Sequence, residues 1–439
     1  MGSYVPSTLK EQKEMLESIG LSSIDELFAH IPAELKLKGE LNIPSGKSEM
    51  EVSRTMKDIA SHSHIFGTIF RGAGAYSHYI PSIVKSVVSK EEFVTAYTPY
   101  QAEISQGILQ SIFEYQTMIC ELTGMDVSNA SVYDGATAAA EAVNMCCERS
   151  RQVVFCSEAA HPDTISVIKT YCWAAGHELV LVPHKDGKTD WDSIASQLDK
   201  KTSACVYVQS PNFFGQLEEV EKAAELIHSV GGKLICGCNP IALGALKTPA
   251  EQGADIAVGE GQPLGMPLSF GGPYLGFMAA TSAMMRKLPG RIVGETTDVD
   301  GKRAFVLTLQ AREQHIRREK ASSNICSNQA LCAMTASVYL AVMGPEGLRR
   351  AALMCYQNAH TLAEKLCCIP RIQLKYTGTF FHEFVTEQAN SDRILSALEK
   401  EGILGGYPLE NGDILWCATE KNTTEEIDKV VNIIRKELM

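Results

Sequence analysis

From residue 66 onward, the apolar positions of the chain alternate between helical spacing and short unbroken runs. Helical spacing predicts helices over 103–123, 137–149, 164–175, 190–199 and 218–230. The unbroken runs have the length of buried strands: Val153–Cys156, Leu179–Val182, Ala204–Val208, Leu234–Cys236, Ile256–Val258, Leu275–Ala279 and Ala304–Leu309. Strands that are apolar on both faces are typical of a sheet that helices cover on both sides. The pattern therefore predicts an α/β domain with a mostly parallel sheet.

The last third of the chain repeats this alternation on a smaller scale. A long helical region from Asn324 to about Leu366 is interrupted near Gly344-Pro345, because proline cannot continue a helix without losing a hydrogen bond. Two strands and two helices are predicted after it: Phe380–Val385, 391–401, Ile414–Cys417 and 424–438. We therefore expect a large α/β domain over 66–325, and a linking helix with a small α/β domain over 326–439.

The first 65 residues lack the alternation of helix and strand. Residues 7–31 predict two short helices, and Ile24, Leu27 and Phe28 form the expected inward face of the second. We predict that 1–65 form a helical arm. Such an arm either clasps a partner subunit or packs on its own domain.

Composition narrows the class of protein. The chain has 439 residues, 45% of them hydrophobic and 21% charged, as in an ordinary soluble globular protein. Its formal charge of -12 argues against a nucleic-acid partner. The apolar stretch Ala330 to Gly344 is too short to span a membrane and predicts a buried core helix. The 14 cysteines contain no C-x-x-C pair, which favours free thiols in a reducing cytoplasm over a metal site.

The stretch Gly253–Thr281 joins two predicted strands by a turn rich in glycine and proline. Glycine allows close backbone approach, and proline keeps the turn from becoming helix. No Lys, Arg or His occurs from Thr248 to Met285. The spacing of Gly259, Gly261 and Gly265 is one residue too long for G-x-G-x-x-G, so we reject a dinucleotide site of the Rossmann type.

Three residues that follow strands or open helices are candidates for a ligand site. Asp134 precedes an alanine-rich helix, whose free N–H groups form either an anion cup or a start that Asp134 itself caps. His161 follows a strand and either stacks on a cofactor ring or has a structural role. Asn212 follows another strand, where it either bonds a ring hydroxyl or marks a turn.

A cluster of positive charge stands out in this acidic chain. Arg312, His315, Arg317 and Arg318 lie within seven residues. The cluster is either a solvated face or a binding site for an acidic partner surface or a carboxylate. We take these four residues as candidates for a partner interface.

Four long segments resemble one known family. They are TPYQAEISQGILQSIFEYQTMICELTGMDVSNASVYDGATAAAEA at 98–142, the glycine-rich stretch 253–281, REQHIRREKASSNICSNQALCAMTASVYLAVMGPEGL at 312–348, and RGAGAYSHYIPSIV at 71–84. Together they resemble the P-protein family of the glycine cleavage system, in particular the first subunit of its two-subunit form, glycine dehydrogenase (decarboxylating). The resemblance implies the pyridoxal-phosphate (PLP) transferase fold type I.

The resemblance also implies a division of labour between two subunits. Subunit 2 holds PLP on a lysine, and subunit 1 has a related fold without the cofactor. Gln262 agrees with this, because it stands where the lysine would fall and an amide cannot form an imine with PLP. Asn239 stands where an aspartate would face the pyridine nitrogen. Asp134, His161, Asn212, Asn239 and Gln262 then mark a site without cofactor function.

The activity implied by the resemblance belongs to the assembly. The two subunits, expected as a cytoplasmic heterotetramer of two plus two, decarboxylate glycine and transfer the aminomethyl group to the lipoyl arm of the H-protein. The chain alone is expected to be inactive and to hold no metal. A scaffold subunit that adds no group to the active site is the alternative, whereas Gln262 speaks against a self-sufficient PLP enzyme.

One segment could complete the partner's active site. Tyr97, Tyr100 and Gln101 surround Pro99, which makes the chain stiff and extended ahead of a helix. Two hydroxyls and an amide on such a segment could orient a small polar substrate beside a PLP ring. Otherwise the two tyrosines are core residues whose hydroxyls are satisfied internally.

Overall fold

A computed structural model of the chain describes residues 6–39, 41–95, 98–321, 323–325 and 328–438. The chain divides into two units, Met1–Ile65 and Phe66–Met439. The predicted candidate Tyr97 lies outside the described residues. The predicted division of 66–439 into a large and a small domain stays a prediction.

The described residues of the first unit contain three α-helices: α1 (Leu9–Ser18), α2 (Ile24–Leu27) and α3 (Glu49–Ser61). Thr8 caps the start of α1 and Ser48 caps the start of α3, each with a capping box that satisfies free N–H groups at the helix start. The sequence predicted α1 and α2 but not α3. Ile24 is 52% exposed and Phe28 47% exposed, so the expected inward face of α2 is not buried.

The second unit contains the strands of the structure. In chain order they are β1 (Thr68–Ile69), β2 (Val127–Ser128), β3 (Val153–Ser157), β4 (Glu178–Val182), β5 (His184–Lys185), β6 (Lys188–Thr189), β7 (Ser203–Ser210), β8 (Lys233–Cys238), β9 (Ile256–Glu260), β10 (Gly276–Ala280), β11 (Ile292–Thr297), β12 (Arg303–Thr308), β13 (Ile372–Leu374), β14 (Glu383–Gln388), β15 (Ile403–Leu404), β16 (Tyr407–Pro408) and β17 (Ile414–Cys417). Its helices are α4 (Ser82–Val88), α5 (Gln106–Thr123), α6 (Gly135–Cys146), α7 (Pro162–Ala175), α8 (Val220–Ser229), α9 (Gln314–Arg317), α10 (Ala330–Cys367), α11 (Ser391–Lys400) and α12 (Thr424–Leu438).

The main sheet has seven strands in the order β2-β10-β9-β8-β7-β3-β4. The pairs from β4 to β9 are parallel, and β10 runs antiparallel to β9 and β2. Alternate residues of its strands enter two separate apolar clusters, as Val206 and Leu234 do on one side and Cys205 and Ile235 on the other. The predicted α/β fold with a mostly parallel sheet is confirmed.

A smaller antiparallel sheet has the order β13-β14-β17-β16. It forms a third apolar cluster with the end of α10 and with α11 and α12, where Trp416, Leu366 and Ile434 are buried. The strand β17 occupies the predicted residues, and β14 begins later than predicted. Short strands such as β13 were not predicted.

The prediction of a helix over residues 190–199 was wrong. Residues 190–199 contain only a single 3₁₀ turn, Trp191–Ser193, because burial of Trp191 and Ile194 fixes the segment without further helical turns. The strand predicted over Ala304–Leu309 exists as β12 but pairs only with β11, in a two-stranded ribbon apart from the main sheet.

Helix α10 is 38 residues long and is broken at Gly344, whose φ of 59° and ψ of 177° are not helical. Among the described helices, α10 is long and apolar enough to cross a membrane. Buried core helices often meet the same two criteria. Its first half buries Ala333, Ala336 and Tyr339 in the cluster that includes α5 and β7. These contacts are those of a core helix.

The described cysteines are free thiols, and most of them are buried. Cys326 lies outside the described residues.

Candidate functional site

A cavity of about 460 Å³ lies at the carboxyl ends of the parallel strands of the main sheet. His161, Pro211, Asn239 and Glu260 follow or end the strands β3, β7, β8 and β9 and line it. In open α/β sheets, this edge is where ligands bind. Residues 73–76 and the start of β14 complete the wall.

The cavity brings together three of the residues that the sequence singled out: Asp134, His161 and Asn239. Among the described residues that line it there is no lysine or arginine, whereas Asp134, Asp163, Glu260 and Glu383 supply carboxyl groups. The wall therefore has the wrong charge for a phosphorylated ligand.

Two of these carboxylates occupy the start of helix α6. Asp134 caps the helix, and its Oδ1 accepts a hydrogen bond from the N–H of Thr137 at 2.7 Å. The Oε2 of Glu260 accepts from the N–H of Gly135 at 3.0 Å. The N–H groups that a bound phosphate would use are thus already bonded to carboxylates, so this end of the cavity does not fit the phosphate of PLP.

Glu260 is held by more than the helix start. Its Oε1 accepts from the N–H groups of Gln262 and Leu275, both at 2.9 Å. Burial raises the pKa of the Glu260 carboxyl to about 7, although these backbone hydrogen bonds oppose the shift. The side chain fastens the glycine-rich turn to the strand that follows it.

Gln262 lies in the turn between β9 and β10 and is 1% exposed. Its Oε1 accepts from the N–H of Tyr76 at 3.0 Å, and its Nε2 donates to the carbonyls of Tyr76 at 3.0 Å and Met266 at 2.8 Å. The amide therefore binds the 71–80 segment to the turn through backbone groups. The position holds a structural side chain and no amine that could attach PLP.

His161 and Asn239 also have internal partners. The His161 Nδ1 accepts from the N–H of Asp163 at 3.1 Å, and its Nε2 lies 2.9 Å from the carbonyl oxygen of Ala73. Gly74 packs against this ring, since an added Cβ would lie 2.6 Å from its Nε2. The Oδ1 of Asn239 accepts from the N–H groups of Ile241 and Ala242.

Asn212 is not among the residues that line the cavity. It is 2% exposed, and its Nδ2 donates to Gly187 and to Glu218, both at 2.7 Å. Its Oδ1 accepts from the N–H groups of Phe214 and Gln216 at 3.0 Å. All of its hydrogen-bonding capacity is used in a buried loop.

Sequence reasoning missed three residues of the cavity wall: Tyr76, His382 and Glu383. The Tyr76 hydroxyl donates to Glu383 Oε2 at 2.8 Å, and the N–H of Ala73 donates to Oε1 at 2.7 Å. Burial raises the pKa of Glu383 to about 7 and lowers that of His382 to about 3. Tyr76 lies in the segment RGAGAYSHYIPSIV, which carries the family resemblance but predicts no role for any single residue.

The carboxylate of Glu420, which is not part of this wall, has three hydrogen-bonding neighbours. His78 Nδ1 lies 2.7 Å and Cys355 Sγ 3.2 Å from its Oε2, and the N–H of Tyr79 donates to its Oε1 at 2.6 Å. Burial alone would raise the pKa of Glu420, but these hydrogen bonds lower it to about 2. His78, Cys355 and Glu420 form a group of described residues whose ligand atoms lie close enough together to hold a metal ion. The same atoms take part in the internal hydrogen bonds given above.

The residues predicted for a partner interface are not among those that line the cavity, and one of them, His315, lies near Tyr100. Tyr100 is 53% exposed, and its ring lies 6.3 Å from that of His315. Arg312 donates to the carbonyls of Leu309 and Gly290, and burial lowers the pKa of its guanidinium. Gln101 is also exposed.

Of the two remaining residues of the positive cluster, Arg317 ends helix α9 and Arg318 begins the 3₁₀ turn that follows it. Arg317 donates from its Nε to the carbonyl of Ala311 at 3.1 Å. Arg318 follows with a φ of 59° and is exposed. The positive cluster is thus partly tied to its own backbone and partly open to solvent.

The sheet order and the position of the cavity define a class: the fold is that of the PLP-dependent enzymes of fold type I. Alanine–glyoxylate aminotransferase from Nostoc sp. has it, with a TM-score of 0.59 and 15% identity, covering 86% of this chain and 96% of that one. A likeness at this identity shows the fold alone.

A family model described as glycine cleavage system P-protein matches residues 2–434, and the chain belongs to this family. A relative from Carboxydothermus hydrogenoformans, a probable glycine dehydrogenase (decarboxylating) subunit 1, is 52% identical over 440 residues, which cover 98% of this chain and 99% of the relative. A crystal structure of glycine decarboxylase (P-protein) in inhibitor-bound form matches with a TM-score of 0.93 and 40% identity over 99% of this chain and 100% of that chain. The predicted family and fold are confirmed, and with them the prediction of a glycine decarboxylase subunit.

Proposed function

We propose that this chain is the subunit of a two-subunit glycine decarboxylase that does not carry PLP, and that it completes a site whose PLP is bound by subunit 2. The observation that carries the proposal is the bonding of Gln262, whose amide is committed to backbone groups at the position of the cofactor lysine. The carboxylates of Asp134 and Glu260 at the start of α6 support it as well. The name of the relative, subunit 1, implies a second subunit.

The reaction proposed for the assembly moves one carbon from glycine to the lipoyl arm of an H-protein. The bond between the α-carbon and the carboxylate breaks and CO2 leaves. The α-carbon, with its amino group, bonds to one sulfur of the lipoyl disulfide, and the other sulfur takes a proton. The disulfide is reduced as the carbon is oxidised. PLP on subunit 2 supplies the electron sink for this chemistry.

Within that assembly, this chain positions the substrate and excludes water. Tyr100 and Gln101 stand on the stiff segment after Pro99 and are exposed, so they are available at a subunit interface. Arg312, His315, Arg317 and Arg318 are proposed to face the partner. The assembly is proposed to be a cytoplasmic heterotetramer of two plus two.

The proposal is tested by reconstitution. The purified chain, a purified subunit 2 loaded with PLP, and a lipoylated H-protein are assayed alone and together for glycine-dependent CO2 exchange. We expect exchange only when both subunits are present, and bound PLP only in fractions that contain subunit 2. Exchange by this chain alone, or by subunit 2 alone at the full rate, would contradict the proposal.

A scaffold role is separated from site completion by two substitutions. If the segment 98–101 reaches the active site, Tyr100→Phe and Gln101→Ala leave the subunits associated but slow exchange by about tenfold or more, because a lost positioning contact costs up to roughly 10²-fold. Association is followed by co-purification. Wild-type exchange by both variants in an intact complex would favour the scaffold.

A further inference from the structure

Arg291 is a buried cation without a carboxylate partner in the described part of the chain. It is 6% exposed, between a turn at Pro289-Gly290 and the start of β11. Its side chain donates to the Tyr100 hydroxyl at 3.1 Å and to Asn328 Oδ1 at 3.5 Å, and its Nε has no partner among the described residues. A buried charge that meets only neutral groups is costly, so stability gives no reason for it.

The backbone of Arg291 is held independently of its side chain. The N–H of Ala130 donates to its carbonyl oxygen at 2.8 Å, and β11 pairs with β12 from Ile292 onward. The guanidinium is therefore not needed to place the strand. The guanidinium instead contacts Tyr100, whose ring centre lies 5.4 Å from the guanidinium carbon.

Tyr100 is the exposed end of this pair. Because its oxygen accepts a hydrogen bond from a cation, its own proton points away from Arg291 and becomes a better donor. Tyr100 as a whole is 53% exposed, so a molecule outside this chain can reach the residue. The positive charge behind it favours an acceptor with negative charge.

We infer that Arg291 is the positioning residue for Tyr100, and that the Tyr100 hydroxyl held in this way donates its hydrogen bond to the carboxylate of glycine. The inference rests on the proposed function, in which glycine binds at the interface of the two subunits. Arg291 acts through Tyr100 and does not itself touch the substrate.

A double-mutant cycle in the assembled enzyme tests the inference. Tyr100→Phe and Arg291→Met are each expected to lower kcat/KM for glycine exchange by about tenfold or more, mainly through a higher KM, as for loss of a hydrogen bond to a charged group. The double variant is expected to be no worse than either single one, because both changes remove the same contact. Effects that multiply, or a KM that stays at the wild-type value, would overturn the inference.

Two further variants serve as controls. Arg303→Met removes an exposed arginine of the same ribbon, paired with Glu295 at 2.7 Å, and is expected to leave exchange unchanged. Arg291→Lys keeps the charge and one donor, and is expected to restore part of the loss. If Arg291→Met unfolds the chain, Arg291→Lys in the presence and absence of Tyr100→Phe closes the same cycle.

A measurement on the isolated chain separates this inference from the proposed function. With tyrosine labelled at Cζ, the Tyr100 resonance is assigned by its loss in Tyr100→Phe. We expect Arg291→Lys to shift it and Arg303→Met to leave it in place. If the wild-type assembly shows no exchange, the proposed function fails, while an unshifted Tyr100 resonance overturns the contact itself.

Discussion

At the residue scale, side chains of the cavity and of the glycine-rich turn beside it satisfy backbone groups at the start of α6 and in the segment around Tyr76. Glu260 and Asp134 accept the N–H groups at the start of α6, and Gln262 bonds the backbone of Tyr76. Gln262 is buried, whereas Asp134 and Glu260 are partly exposed. Removing any of the three side chains would leave backbone N–H groups without these acceptors.

Gln262→Lys should therefore destabilise the chain and create no enzyme. The substitution removes the acceptor for the Tyr76 N–H and places an ammonium at a side chain that is 1% exposed. We expect a loss of about 3 kcal/mol in the free energy of unfolding, measured by denaturant titration. Gln110→Lys, on the exposed side of α5, is the control and should change stability by less than about 0.5 kcal/mol. A stable Gln262→Lys chain that decarboxylates glycine without subunit 2 would contradict this.

A second prediction at this scale concerns pH. Burial raises the pKa of Glu383 from 4.5 to about 7, so the folded chain keeps this proton at pH values where the unfolded chain has lost it. Unfolding then releases a proton, and stability falls as the pH rises from about 4.5 to 7. Glu383→Gln removes this effect. Its stability relative to wild type should rise across that window, on the order of 1 kcal/mol per pH unit.

The control for the pH prediction is Glu387→Gln on the same strand. Hydrogen bonds from Gln373 and Lys375 lower the pKa of Glu387, so its titration lies below the window. Unfolding curves recorded at several pH values between 5 and 7 should show parallel stabilities for this variant and wild type. An equally parallel Glu383→Gln curve would show that Glu383 is ionised in the folded chain.

At the scale of elements, the periodicity of apolar residues predicted those helices and strands that the local sequence determines. The parallel strands and α6, α7 and α8 could be placed because their apolar runs and helical faces are continuous. The ribbon of β11 and β12 could not, since the run Ala304–Leu309 has the composition of a core strand whatever its partner. The contact between Tyr76 and Glu383 joins residues that are 307 positions apart in the chain, so no local sequence pattern predicts it.

The break in α10 allows a matched pair of substitutions. Gly344 has a φ of 59° and a ψ of 177°, a conformation that is essentially limited to glycine, whereas Gly347 lies in the helical continuation. Gly344→Ala should cost about 1–3 kcal/mol. Gly347→Ala should be neutral or stabilise by up to about 1 kcal/mol, since its new Cβ would lie 3.4 Å from the Cβ of Met343, an ordinary contact. The stabilities of both variants are measured by thermal unfolding. Equal effects of the two substitutions would show that the backbone conformation at Gly344 is not required for the fold.

At the scale of the whole molecule, apolar surface is left over in the first unit. Leu9 is 85% exposed, Leu35 74% and Ile43 69%, and no described residue of 6–65 is buried. Both roles predicted for this arm would cover such surface, either with a partner subunit or with the chain's own domain. The choice between them stays a prediction.

The last prediction treats the chain as a whole in the presence of PLP. No lysine lies between Thr248 and Met285, and the nearest one after the turn, Lys287, is paired with Glu148 at 2.7 Å on the surface. The isolated chain should therefore develop no saturable visible absorbance of a lysine imine when PLP is added, whereas subunit 2 under the same conditions should. Borohydride reduction followed by peptide mass analysis measures the same property directly. A stoichiometric label on one lysine of this chain would mean that it carries the cofactor, and the division of labour between the subunits would have to be abandoned.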